Sequence, residues 1–374
     1  MIRLMGVAIF LVLSICLNGA DLELLNGTSI KASIDFQANT IKAGDKTYPL
    51  DQIASILYST DTPQKMETQH RVTLVDGSVV IIQVTTGDEK IIKVKNDEGV
   101  SSEVDKGLIY AISFIDLEDN AKIEIPKSGS FAILAWGKVM VCKPLWLTFL
   151  DIGVDQEGQE LKLKKDVVAE LNFANPLQKN KDANVIVKSR YGDAIKGKLL
   201  KLDSDVVKIS CLIGEKEFML KDILEIEMIS DKVVSLLDLK PTKVASIAYL
   251  EDIIMKPTFN AGLFGGYIKK GKKRYAAGIC MQSKTSMTYS LEGGYSRFVA
   301  EISLDERFAF SGNADFVVYG DGKELSRTNM TLKSPVKKID IKLQGLSAIT
   351  VELDFAEAGN SGDFGTWGNP RLYR

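Results

Sequence analysis

The sequence predicts an all-β protein made of small repeated units followed by a different C-terminal domain, and three observations predict it. Apolar and polar residues alternate with a period of two in stretches such as "VTLVDGSVVIIQV" and "DVVKISCLI". Few segments hold a helical period of any length. Asn-Gly and Asp-Gly pairs, strong short hairpin signals, recur between the alternating stretches. A chain of 374 residues with 45% hydrophobic content can bury real cores and divides into more than one domain.

The first element is "MIRLMGVAIFLVLSICLNGA", an arginine, an apolar run and a small-residue ending, which is the layout of a signal peptide over residues 1–20. The run from Leu4 to Leu17 is short for a bilayer span. A lipoprotein attached at Cys16 is the alternative, and Ile15 stands where that motif wants a small residue. The expected location is therefore secreted, periplasmic or cell-surface, with no transmembrane helix after signal removal. Cys142, Cys211 and Cys280 remain, an odd number without C-x-x-C spacing, so neither a disulfide framework nor a zinc site is expected. Each reads as a small buried hydrophobe.

Next come four segments that share one plan: a strand, a turn at Gly27, Gly77, Gly137 or Gly192, two or three alternating strands, and a short acidic-then-apolar close. They are expected over 21–60, 68–120, 128–175 and 183–230, the third being the most degenerate. "NPLQKNKDAN" is the clearest linker between the last two. Through the "V-x-L-x-[DN]-G" opening these segments weakly resemble SH3-like or Sm-like small β-barrels, which bind other chains or space a domain from a surface.

From about Ser230 the texture changes, with more glycine and aromatics. Four blocks stand in order: "SLLDLKPTKV" with Asp238, Leu239 and Pro241; "RYAAGICMQSKTSMTYSLEGGYSRFVAEISLDE"; "VVYGDGKEL"; and "GDFGTWGNPRLYR". Together they make residues 231–374 resemble the NPCBM family of carbohydrate-binding modules. The resemblance implies a galactose-binding-like, jelly-roll β-sandwich that holds a glycan without catalysing its cleavage. Gln282 and Phe364 stand where many relatives carry histidine.

A sugar site needs an aromatic face for the ring and planar polar groups for the hydroxyls. The closing block offers Trp367 with Asp363, Asn369 and Arg371, and Gln282, Asp321 and Lys323 complete the candidate ligand-binding set. For Trp367 and Asp363 the other reading is core packing and turn capping. Asp321-Gly322 is read first as a hairpin turn. Tyr289, Tyr295, Phe298 and Phe316 lie in strand-like runs and are expected in the core.

"IKKGKKRY", residues 268–275, is a solvated loop or a steering patch for an anionic glycan. The formal charge of −2 gives no global pull toward nucleic acid, and no nucleic-acid partner is expected. His70, the single histidine, reads as a surface residue, no G-x-S-x-G elbow is present, and no D-x-[DN]-x-[DN]-G calcium loop occurs. The chain is thus expected to be no enzyme and to hold no cofactor or metal. Its partner is a polysaccharide or glycan, with envelope proteins as the alternative. A hydrolase with facing carboxylates is the third reading.

Overall fold

The computed structural model describes residues 19–37, 39–59, 69–96, 99–115, 126, 128–247, 254–265, 268–271, 273–275, 277–292, 294–307, 311–356, 359 and 361–374. Residues 1–18 of the expected signal segment, Cys16 among them, lie outside the described residues, whereas Ala20, the last residue of that segment, opens the first strand and is buried. Those residues form strands joined by turns and by single 3-10 turns. No helix among them is long and apolar enough to cross a membrane.

The N-terminal part repeats one hairpin device four times. The N–H groups of Gly27, Gly77, Gly137 and Gly192 donate to the carbonyls three residues earlier, on Leu24, Leu74, Leu134 and Ser189. Each of these glycines has a left-handed backbone, with φ between 79° and 102°. This is a type I turn closed by a glycine bulge, so the residue before the glycine keeps ordinary φ; at Asn26-Gly27 and Asp76-Gly77 it replaces the two-residue I′ turn that Asn-Gly and Asp-Gly suggest. The N–H groups of Leu25, Val75, Ala135 and Arg190 then donate to Gln52, Leu108, Val167 and Asp222. Each acceptor ends a 3-10 turn that leads into the last strand of its set.

In every set the first strand pairs antiparallel with both the second and the last. Ala20–Leu24 pairs with Ser29–Ala32 and Ile53–Leu57. His70–Leu74 pairs with Val79–Gly87 and Ile109–Ser113. Phe131–Leu134 pairs with Val139–Val141 and Val168–Asn172. Val185–Ser189 pairs with Ala194–Leu202 and Ile223–Met228. Among the described residues none of these sheets closes on itself, and the last strand of each set follows a 3-10 turn rather than pairing with the strand before it. The sets join instead through their last strands, Ile53–Leu57 with Ile223–Met228 and Ile109–Ser113 with Val168–Asn172, over one shared core.

"NPLQKNKDAN" is fastened rather than free. The Asn175 amide donates to Lys106 and Ile109 carbonyls at 2.8 and 2.7 Å, and Gln178 N donates to Val75 O. His70 is no surface group either. Its Nδ1 accepts from Val84 N at 2.9 Å and its ring meets Phe114 edge-on at 5.3 Å. Burial, reinforced by the nearby Lys165 ammonium, pushes its pKa down to about 4.

The C-terminal part is a sandwich of two antiparallel sheets. One runs Thr258–Phe259, Gly278–Gln282, Phe364–Tyr373, Arg297–Leu304, Lys337–Lys342, with Val233–Ser235 beside Phe364–Tyr373. The other runs Lys243–Ser246, Thr285–Ser290, Ala348–Phe355, Asn313–Gly320, Lys323–Thr331. Tyr289, Tyr295, Phe298, Phe316 and Trp367 fill the space between them, as expected for the first four.

The two sheets differ on their outer sides. Arg297–Leu304 and Phe364–Tyr373 are buried on nearly every residue, so something covers their outer face. Two things do. Ile268 and Tyr275 pack over Gly278 and Gly368, whose missing Cβ atoms make the room. Further along, Val299 and Tyr373 meet Leu25 and Ala54 of the N-terminal part. Arg297, 5% exposed, reaches across that seam to the Leu24 and Leu25 carbonyls and to Glu23, while Asp340 holds its other edge at 2.6 and 2.5 Å. Arg371 makes a second bridge to Glu227, itself 2.8 Å from Lys188.

Candidate functional site

The seven residues singled out in the sequence do not converge. Trp367 is 0% exposed and lies among Phe316 and Phe298, at ring distances of 5.1 and 6.3 Å. Its position on an inward-facing turn of the pleat gives its indole to the core, so it offers no platform to a sugar. Arg371 is held in the bridge to Glu227. There burial alone would raise the Glu227 pKa, but Lys188 and Arg371 outweigh it and hold the carboxyl at about 2. Asp321 and Gly322 both have positive φ, 49° and 81°, as a I′ turn demands. The Asp321 carboxylate also accepts from Ser347 and Ala348 N–H at 3.1 and 2.8 Å, which fixes the turn. Lys323 follows it, exposed. Asn369 has φ 45°, and its N–H donates to Ala277 O.

Gln282 and Asp363 lie on neighbouring segments at the end of the sandwich away from the seam, but it is Ser283, next to Gln282, that bonds Asp363. Gln282 and Phe364 are register partners, and the Gln282 Oε1 accepts from Met255 N. Asp363 is 1% exposed and accepts from Ser283 Oγ at 3.1 Å and from Asn313 N at 2.9 Å. Burial outweighs those two bonds and pushes its pKa up to about 6. It ties strand ends together and is shut off from solvent. The basic run is likewise partly spoken for, since Lys270 Nζ sits 2.8 Å from Glu306 and 2.6 Å from Leu332 O.

A polar network that the sequence reading missed lies on the outer face of the five-stranded sheet. Arg327 bonds Glu324 of its own strand and reaches Asp315 at 2.9 Å and Asp354 at 3.2 Å. The Asn329 amide donates to Asn313 and Asp315 at 2.7 and 2.8 Å. Lys284 sits 3.1 Å from Asp354, Tyr319 donates to Glu352, and the Thr288 and Thr350 hydroxyls lie 2.8 Å apart. Burial and the Asp354 charge together outweigh the neighbouring cations and hold the Glu352 carboxyl above the usual range. Strand pairing assembles these residues from positions 284 to 354, and the alternation in "TSMTYS" and "ITVELDF" is the signal that puts their polar members on one face. Among the described residues, no group of three or more His, Cys, Asp or Glu could hold a metal ion.

Residues 235–373 match the family model described as the NPCBM/NEW2 domain. The C-terminal sandwich is an NPCBM domain. No curated protein matches the chain. Among solved structures, the chain is similar to a CBM51 module of Clostridium perfringens GH95, crystallised with methyl-galactose, at 22% identity over 37% of this chain and 99% of that one, with a TM-score of 0.34. It is similar to the CBM51-2 and INT domains of C. perfringens ZmpB at 19% identity, over 51% of this chain and 40% of that one, with a TM-score of 0.35. A tandem CBM51 pair of Sp3GH98, from Streptococcus pneumoniae SP3-BS71, aligns at 10% identity over 92% and 88%, with a TM-score of 0.33. In the NPCBM domain of this chain Gln282 and Phe364 stand near one another at the end of the sandwich away from the seam, Phe364 against Phe264 at 4.8 Å.

Proposed function

We propose that this chain is an exported, non-catalytic glycan-binding protein, in which the NPCBM domain holds the polysaccharide and the N-terminal sets, over 21–60, 68–120, 128–175 and 183–230, carry it. The observation that carries the reading is the family match over 235–373. The layout of residues 1–20 supports export. The non-catalytic reading is supported by the one histidine, which is half-buried with its ring against Phe114 and its Nδ1 committed to Val84 N.

The test is retention of the full chain on a panel of neutral and anionic polysaccharides. Measurable retention of folded protein supports the reading; no retention across the panel sinks it. The burial of Trp367 favours a second reading, an envelope adaptor whose sandwich binds other proteins. Cross-linking in envelope fractions that yields one stoichiometric protein partner, with no polysaccharide retained, decides for it.

A further inference from the structure

Among the described residues, only one of the sandwich's two outer faces is left open. Arg297–Leu304 and Phe364–Tyr373 are covered by the Ile268–Tyr275 hairpin and by the N-terminal part. The five-stranded sheet, by contrast, alternates strictly in Thr285–Ser290, buried inward and part-exposed outward. Five strands set about 4.8 Å apart span roughly 19 Å, room for several sugar rings in a row.

We propose that this open face, rather than the closing block, is the ligand-binding surface, and that its ligand is a neutral glycan chain lying across the strands. The proposal rests on the glycan-binding reading above and says where and what kind. Its chemistry is that of hydroxyl recognition. Asp315, Asn329 and Arg327 present planar groups already fixed by one another, so binding orders little that is not already ordered. Thr288, Thr350 and the Tyr319 hydroxyl supply single donors and acceptors.

Charge and polarity select the occupant. Asp315, Glu324, Glu352 and Asp354 face Lys284, Arg327 and the edge residue Lys243, four carboxylates against three cations, which gives a polyanion no net attraction. A protein partner would need apolar anchors, and Val317, which points outward between Arg327 and Glu352, is itself 0% exposed.

The experiment is affinity electrophoresis of the full chain through soluble galactan, xylan, glucan and polygalacturonate. Wild type is compared with Arg327→Ala, Thr350→Lys, Lys323→Ala and Gln282→Ala, all checked for folding by circular dichroism. Thr350→Lys removes no member of the ion network and lays a long side chain across the middle of the face, so it keeps the test decisive if Arg327→Ala unfolds. The expected result is retardation of wild type by a neutral polysaccharide, weakened about tenfold or more in both face variants, the worth of one charge-assisted hydrogen bond. Lys323→Ala and Gln282→Ala should be unchanged. Neutral-polymer binding that survives both face variants overturns the location and leaves the glycan-binding reading standing. Retardation by polygalacturonate alone overturns the neutral ligand. Folded wild type that no polymer retards overturns both.

Discussion

At the scale of single residues, chemistry that looks like recognition in the sequence turns out to be architecture. Trp367→Ala should lower stability by about 3–5 kcal/mol, the cost of emptying a core site that size, read as a shift in the urea midpoint. Asp363 makes a finer test. Its folded pKa is raised, to about 6, so the protonated form is the one folding favours. Stability from this group is full below the unfolded value near 4 and is lost as pH rises through 6. Asp363→Asn, which keeps a carbonyl oxygen for Asn313 N, should flatten the decline in unfolding midpoint between pH 4 and pH 7 that wild type shows. A parallel pH profile for both proteins would refute the assignment.

At the scale of elements, much was legible and the limits have physical causes. The period-two alternation marks strands, and the four turn glycines mark where the chain reverses, because positive φ is cheap only for glycine. Gly77→Ala and Gly192→Ala should each cost about 1 kcal/mol or more, seen in thermal melts of the single variants; a neutral result at both would remove the bulged-turn account. Pairing is what sequence does not carry. Asp315 and Arg327 stand on the two strands of one hairpin and Glu352 and Asp354 on a third strand, and only the register of the three brings them together. Burial on both faces was equally hidden, since nothing near "RFVAEISL" says that Leu25 and Ala54 will come to cover Val299. That is why the aromatic-plus-carboxylate pattern of the closing block pointed to a site: local composition could not tell a lined cleft from a filled core.

At the scale of the whole molecule, the seam between the N-terminal part and the NPCBM domain makes one body of two. Calorimetry of wild type should give a single unfolding transition. Glu227→Ala leaves Arg371 and Lys188, each part-exposed, without their shared carboxylate while Lys188 keeps Glu225, a loss of about 1–3 kcal/mol read as a shift in the urea midpoint. Arg297→Ala should split the transition in two, since it removes the bonds to Glu23, Leu24 and Leu25 together. Two transitions already present in wild type would show that the seam couples nothing.

The seam also decides how the molecule answers a mechanical load. On the proposed reading, a tug on a polymer held by the sandwich meets a fastened junction rather than a slack tether. Lys232, beside the chain crossing, is itself clamped to Asp51 at 2.8 Å, and Arg297, Arg371 and the packed Val299 and Tyr373 share the strain in parallel. Force applied to the sandwich would then enter the N-terminal sheets at several points at once, as in a bracket and not as in bait on a line.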